Sequence, residues 1–275
     1  MQQSLYNIKN EYKCRTLDDS PDIYTNFKID KPKPTEYLFW EKNSFIRLFL
    51  QTYFQEKFVY RRKIHLLCEG KTDPLHFKNY ISTLDKNKQE YYEFTAFNED
   101  KLTIFQKELN IRSGTPNLKR FIEIYSTLYI SKLSFLNPTI IIVDNDKAGN
   151  EVFQCGTGRY QKTSKKDKIT IEKIEIEYAY ICKNLFILKL PKILKETTIE
   201  DLYDSSVTST ILNGKSFTKD NQYDTSLYYG KVELLTNIIK KNKKSINYKN
   251  FDIILEAIDR LFLMNLYFNL IHAIK

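Results

Sequence analysis

Apolar side chains recur at roughly helical spacing between Thr35 and Tyr60, where Leu38, Phe39, Phe45, Ile46, Phe49, Leu50, Tyr53 and Phe54 form one stripe. Such a stripe predicts a helix with a core-facing side. The period then changes. Ile64 to Cys68 is a short apolar run closed by Glu69-Gly70 and reads as a buried strand. Pro74 suits the first position of a following helix and Asp73 its N-cap, with the helix running to about Leu84. Tyr91 to Phe97 is a second strand candidate, and Gly114-Thr115-Pro116 opens a helix over roughly Asn117 to Ile130. Thr139 to Val143 is uniformly β-branched, the pattern of a parallel strand buried on both faces. After a basic loop, Lys162 to Lys168, the run from Asn184 to Leu190 predicts another strand, stopped by Pro191. Val232 to Lys275 reads as two helices split by the turn-like KKNKKSIN, and the polar residues 1–34, ending in KPKP, read as a lead-in.

Strands alternating with helices define an α/β fold: a mostly parallel sheet flanked by helices, with an N-terminal helical lead-in and a C-terminal helical tail. The expected divisions are an N-terminal extension and connecting helix over 1–60, a catalytic core over 61–205 and a helical extension over 206–275.

Composition adds three constraints. Hydrophobic residues at 42% and only seven Gly and seven Pro describe a globular chain rather than a disordered tail. Lys and Arg exceed Asp and Glu by 43 to 34, a formal charge of +9. That excess suits a polyanionic partner such as nucleic acid, although an AT-rich coding sequence produces the same lysine enrichment. Cys14, Cys68, Cys155 and Cys182 are scattered without a CxxC pair, which fits reduced thiols and a cytoplasmic location. The apolar stretch Leu261 to Ile274 is interrupted by Asn265, Asn269 and His272 and is too short to span a bilayer, so no membrane partner is expected.

Two motifs fall where an open α/β sheet collects its ligands, beyond the carboxyl ends of its strands. LLCEGKTD sets Glu69 after one strand, and IIIVDNDKAG sets Asp144 and Asp146 after another. Residues i and i+2 on extended backbone point the same way, so both aspartates can face one cation. Carboxylates converging without His or Cys suit a hard ion, Mg²⁺ or Mn²⁺. The plainer alternatives are a solvated strand end for each acid, a turn or helix cap within DND, and an N-cap role for Asp73. His65 and His76 stand at no ligand spacing and read as structural.

The pair EG(x)TD and DxD resembles the Toprim domain of primases, topoisomerases and overcoming-lysogenization-defect nucleases. HLLCEGKTDPLHFKNYI, RSGTPNLKRFIEIY, IIIVDNDKAG, NLFILKLP, IEDLYD, YYGKVEL and INYKNFDIILEAID follow the order of the Toprim effector half of retron reverse transcriptase–Toprim fusions. The resemblance covers roughly Thr35 to Asp259, and the chain carries no YxDD polymerase motif. It implies a metal-dependent nuclease of anti-phage defence, either free-standing beside a reverse transcriptase–msDNA complex or a piece of a fusion. It further implies Glu69 as a metal-binding carboxylate and general base, Asp144 and Asp146 as metal ligands, and Asp73 and Glu200 as further ligands. Lys231 would stabilise charge on the cleaved phosphate. For Glu200 the alternative is a helix start, with Thr198 as cap and Asp201 at the dipole; for Lys231 it is an ordinary surface lysine.

Lys71, Lys162, Lys165 and Lys166 are the candidate phosphate contacts, although a charge run is most often a solvated loop. A second functional class is also open: a non-catalytic module that binds a reverse transcriptase or msDNA through its aromatic N-terminal helix and apolar tail, or that self-associates. Phe262, Leu263, Met264, Leu266 and Tyr267 leave that tail little polar face. Primase-type polymer synthesis would use the same metals, but no nucleotide-binding loop or zinc module accompanies the acids.

Overall fold

The computed structural model describes residues 44–59, 62–97, 102–127, 137–158, 165–220 and 222–274. The expected lead-in over 1–34 lies outside them. The chain divides into two compact units, Met1–Tyr53 and Phe54–Lys275. Within the first, helix α1 begins at Ser44 (Ser44–Phe54), and Phe45 and Leu48 are exposed. A π-helical turn, Gln55–Val59, follows it.

The second unit is built on a six-stranded sheet of order β2-β1-β3-β6-β5-β4. Strands β1 (Ile64–Cys68), β2 (Tyr92–Ala96), β3 (Thr139–Val143) and β6 (Leu185–Lys189) run parallel. Strands β4 (Lys165–Ile171) and β5 (Ile174–Cys182) form an antiparallel hairpin on the β6 edge. The architecture is thus α/β and Rossmann-like, with β1 feeding β2 on one side and β3 added on the other. The change of winding direction falls between β1 and β3, where a crevice opens beyond the strand ends.

The helices are α2 (Asp73–Ile81), α3 (Lys86–Tyr91), α4 (Ile104–Leu109), α5 (Thr115–Thr127), α6 (Lys147–Gly158) and the short α7 (Ser205–Thr208). Two short parallel strands follow, β7 (Ser216–Phe217) and β8 (Tyr228–Tyr229). Helix α8 (Lys231–Glu233) runs through a π-helical segment, Leu234–Ile239, into α9 (Lys240–Asn242), and α10 (Lys249–Ile274) closes the order.

Strands β1, β3 and β6 are buried along their whole length, because a parallel sheet is covered on both faces. Leu66, Ile140, Ile142, Phe186 and Leu188 face one layer with Phe77 and Tyr80 of α2 and Phe251, Ile254, Ile258 and Leu261 of α10. On the opposite face Phe58 stacks on His65 with ring centroids 5.0 Å apart and packs against Phe54, Phe121 and Tyr125. His65 also bonds Thr95 Oγ1 at 2.7 Å, so it is a satisfied core histidine. Residues 206–275 share the sheet's core through Tyr229, Leu234, Ile238 and α10.

Four local expectations need correction. Lys165 to Lys168 is not loop but the first half of edge strand β4, where charged side chains protect an exposed edge. Helix α2 ends at Ile81, and Ser82 to Leu84 forms a turn whose amides bond back to Lys78, Tyr80 and Ile81. Thr72 occupies the N-cap position and Asp73 is the first helical residue. The tail of α10 is mixed: Asn265 is buried, whereas Leu263 and Tyr267 are more than 60% exposed. No described helix is long and apolar enough to cross a membrane.

Candidate functional site

Each acid reaches the crevice for a local reason. Glu69 follows β1 directly, and its Oε1 accepts a 2.7 Å hydrogen bond from Thr115 Oγ1 at the start of α5. Asp73, released from capping, turns back over the loop before α2 and accepts the Gly70 amide at 2.7 Å on Oδ2. A Cβ on Gly70 would stand 2.8 Å from Asp73 Oδ1, so the glycine keeps this contact open. Asp144 follows β3. The first turn of α6 presses so closely on it that a Cβ on Gly149 would lie 2.0 Å from the Asp144 carbonyl oxygen.

Asn145, the middle residue of DND, joins a distant segment to this loop. Its backbone exchanges hydrogen bonds with Thr197 (2.8 and 3.0 Å), and its side-chain amide donates to the Leu190 carbonyl at 3.1 Å. That bridge delivers the 3₁₀ turn Ile199–Leu202, on which Glu200 is fully buried. Thr198 and Asp201 close the turn by the expected capping contacts, at 2.9 and 3.1 Å. The capping role of that segment and the inward carboxylate of Glu200 therefore coexist. Lys231, at the start of α8, places Nζ 3.2 Å from Glu200 Oε1, an ion pair whose direction falls short of a hydrogen bond.

The cleft so formed encloses about 620 Å³ and is lined by Glu69, Gly70, Lys71, Asp73, Gly114, Asp144, Tyr223 and Lys231. Its electrostatics are those of crowded acids. Burial, followed by the charges of Asp73, Glu69, Glu200 and Asp146, pushes the Asp144 carboxyl from 3.8 up to about 9. Burial also lifts Asp73, to about 6; the Gly70 hydrogen bond and Lys231 oppose the rise, while Glu200 and Glu69 add to it. Glu69 is raised by burial despite its bond from Thr115. Burial alone would lower Lys231, but Glu200, Asp144 and Asp73 outweigh it and hold the ammonium charged.

Asp146 stands apart from this group. It caps α6, Oδ1 accepting the Gly149 amide at 2.8 Å, and lines the neighbouring cleft with Lys147, Lys189 and Lys192. Its charge still reaches Glu69 and Asp144. Among the candidate phosphate contacts, Lys71 lines the acidic cleft. Lys165 and Lys166 lie on β4, separated from β3 by β5 and β6, and Lys166 sits over the Phe153 ring, 5.4 Å from its centroid. Lys162 lies outside the described residues.

The donor set suits a hard divalent cation. Glu69 Oε2 and both oxygens of Glu200 are buried without a hydrogen-bond partner, and Glu69, Asp73, Asp144 and Glu200 offer only oxygen. Among the described residues no three such side chains already close around one point at ligand spacing. Lys231 supplies the local positive charge.

Four contributors were not read as site residues in the sequence. Thr115 lay inside RSGTP but read as a helix opening, and Asn145 lay inside DND. Gly149 sits in the KAG that follows that motif. His76, read as structural, is buried beside Tyr203 and feels the Glu200 charge. No protein-family model matches the chain, and no solved structure matches it.

Proposed function

We propose that this chain is a Mg²⁺-dependent phosphodiester hydrolase of the Toprim class that cuts DNA or RNA. The observation that carries the reading is that the charges of Glu69, Asp73, Asp144 and Glu200 act on one another at the sheet's change of direction, with Glu69 Oε2 and Glu200 Oε2 buried without a hydrogen bond. When bound, Mg²⁺ supplies charge neutralisation at a phosphate and acidifies water, and Mn²⁺ can replace it. Asp73, Asp144 and Glu200 would hold the ion, and Asp146, in the neighbouring cleft, would add its charge. Glu69, whose carboxyl burial raises above its ordinary value, would take the proton from the attacking water. Lys231, held charged, stabilises the negative charge that builds on the phosphate oxygens. Lys71 at the cleft wall contacts the nucleic-acid backbone.

The sequence resemblance adds a setting: a toxic effector of a retron-type defence system, cytoplasmic, restrained by a reverse transcriptase–msDNA complex. Exposed Leu263 and Tyr267 on α10 support the second reading, a partner-binding module, and the two roles are compatible. The test is cleavage of plasmid, single-stranded DNA and tRNA by purified protein with Mg²⁺. Activity lost in both Asp144→Asn and Glu69→Gln, with circular dichroism unchanged, supports the hydrolase. Metal-replete protein that cuts none of these substrates, alone or freed of partner, removes it.

A further inference from the structure

His76 takes no part in the chemistry above, yet it is fully buried between α2 and the turn that carries Glu200. Its Nδ1 lies 3.0 Å from the Tyr203 hydroxyl, and its Nε2 is buried with no hydrogen-bond partner. Glu200 Oε2 shares that condition, Oε1 being paired with Lys231 at 3.2 Å, and the Glu200 charge reaches the ring. Burying a donor or acceptor unpaired is costly, so orphans on neighbouring groups call for a common explanation.

The tautomer supplies it. Burial keeps the imidazole neutral, so one nitrogen carries a proton and the other a lone pair. With Nδ1 protonated, the Tyr203 hydroxyl would have to find another acceptor. With Tyr203 donating to Nδ1, Nε2 carries the hydrogen, on a ring that the Glu200 charge reaches. Tyr203 itself follows Glu200 on the same turn, its amide bonding the Glu200 carbonyl at 3.4 Å.

We infer that His76 is a positioning residue for Glu200: its Nε2–H, through one water, fixes the carboxylate for a divalent cation, while Tyr203 fixes the ring. The same histidine ties the helix that begins with Asp73 to the turn bearing Glu200, and so sets the spacing of two acids. This rests on the metal-site reading above.

Mg²⁺ affinity measured by isothermal titration calorimetry, without nucleic acid, tests it. In His76→Gln the amide nitrogen reaches the place of Nε2; in His76→Asn it reaches only that of Nδ1; His76→Phe has neither. The expected order is Gln within about threefold of wild type, with Asn and Phe weaker by roughly 10- to 100-fold, the usual effect of losing a group that orients a metal ligand. Wild-type affinity in Phe, or rescue by Asn in place of Gln, overturns the inference and leaves the metal site standing. Should Phe not fold, equal affinities of Gln and Asn overturn it as well. The metal-free protein gives an independent readout: imidazole ¹⁵N shifts of the Nε2–H form are expected, and the Nδ1–H form refutes the link. A wild type with no Asp144-dependent Mg²⁺ binding refutes the metal reading, and the positioning role with it.

Discussion

Replacing Asp144 by Asn should stabilise the metal-free protein while abolishing its response to Mg²⁺. The carboxyl titrates at about 9 in the fold against 3.8 ordinarily, so between those pH values the folded chain holds a proton that the unfolded chain has lost. Folding stability therefore falls as pH rises, by about 1.4 kcal/mol per pH unit. The penalty is absent below the ordinary value and complete above the raised one. At pH 7 it amounts to about 4 kcal/mol, from roughly three pH units of titration. Asparagine carries no such penalty, and the repulsion shared with Glu69, Asp73 and Glu200 leaves a net gain of about 2–4 kcal/mol. For a unit of this size that is about 5–10 °C in Tm. Differential scanning calorimetry in EDTA at pH 6 and pH 8 reads it directly, with the larger gain expected at pH 8. Wild type should gain Tm with Mg²⁺, more at pH 8 because binding must first expel the proton, and Asp144→Asn should not. A variant less stable than wild type at both pH values, or one that keeps the Mg²⁺ gain, would refute the reasoning.

Gly149→Ala forces a Cβ into the Asp144 carbonyl, so urea denaturation should show a loss of about 3 kcal/mol; an unchanged midpoint would show that the loop yields freely. Lys231→Met leaves the buried Glu200 without its ion pair and should cost about 2 kcal/mol, whereas Lys231→Arg should recover most of it; equal stability of the two variants would contradict the pairing. Thr115→Val removes the bond that holds Glu69 down. The acidic limb of a cleavage pH profile should then move upward, and a downward move would show that Glu69 is not the base.

The sheet's centre was legible because uniformly apolar runs such as Thr139–Val143 have no other place in a fold, and the acids that close them are conspicuous. The β4–β5 hairpin was not. Its strands carry edge charges, and its turn uses Glu172 and Lys173 at φ 47° and 69°, where a glycine or asparagine would have announced it. Asp73 illustrates a different limit: a short acidic side chain before a proline reads as a cap, and only the fold reveals that it bonds the Gly70 amide. Glu200 and Lys231 carry no local signal that tells a buried ion pair from a surface one. Their pairing is long-range, made by the Asn145–Thr197 bridge and the return of the chain through β8.

That return orders events during synthesis. Glu69, Asp73, Asp144 and Glu200 all leave the ribosome before Lys231, and the sheet is complete by Lys189, yet one layer of its core waits for Phe251, Ile254, Ile258 and Leu261 of α10. A chain interrupted after Leu202 would possess the four acids and all six strands of the main sheet but neither the counter-charge nor the covering helix. The molecule is thus built so that its most repulsive assembly closes last, and a prematurely released product is left without a finished site.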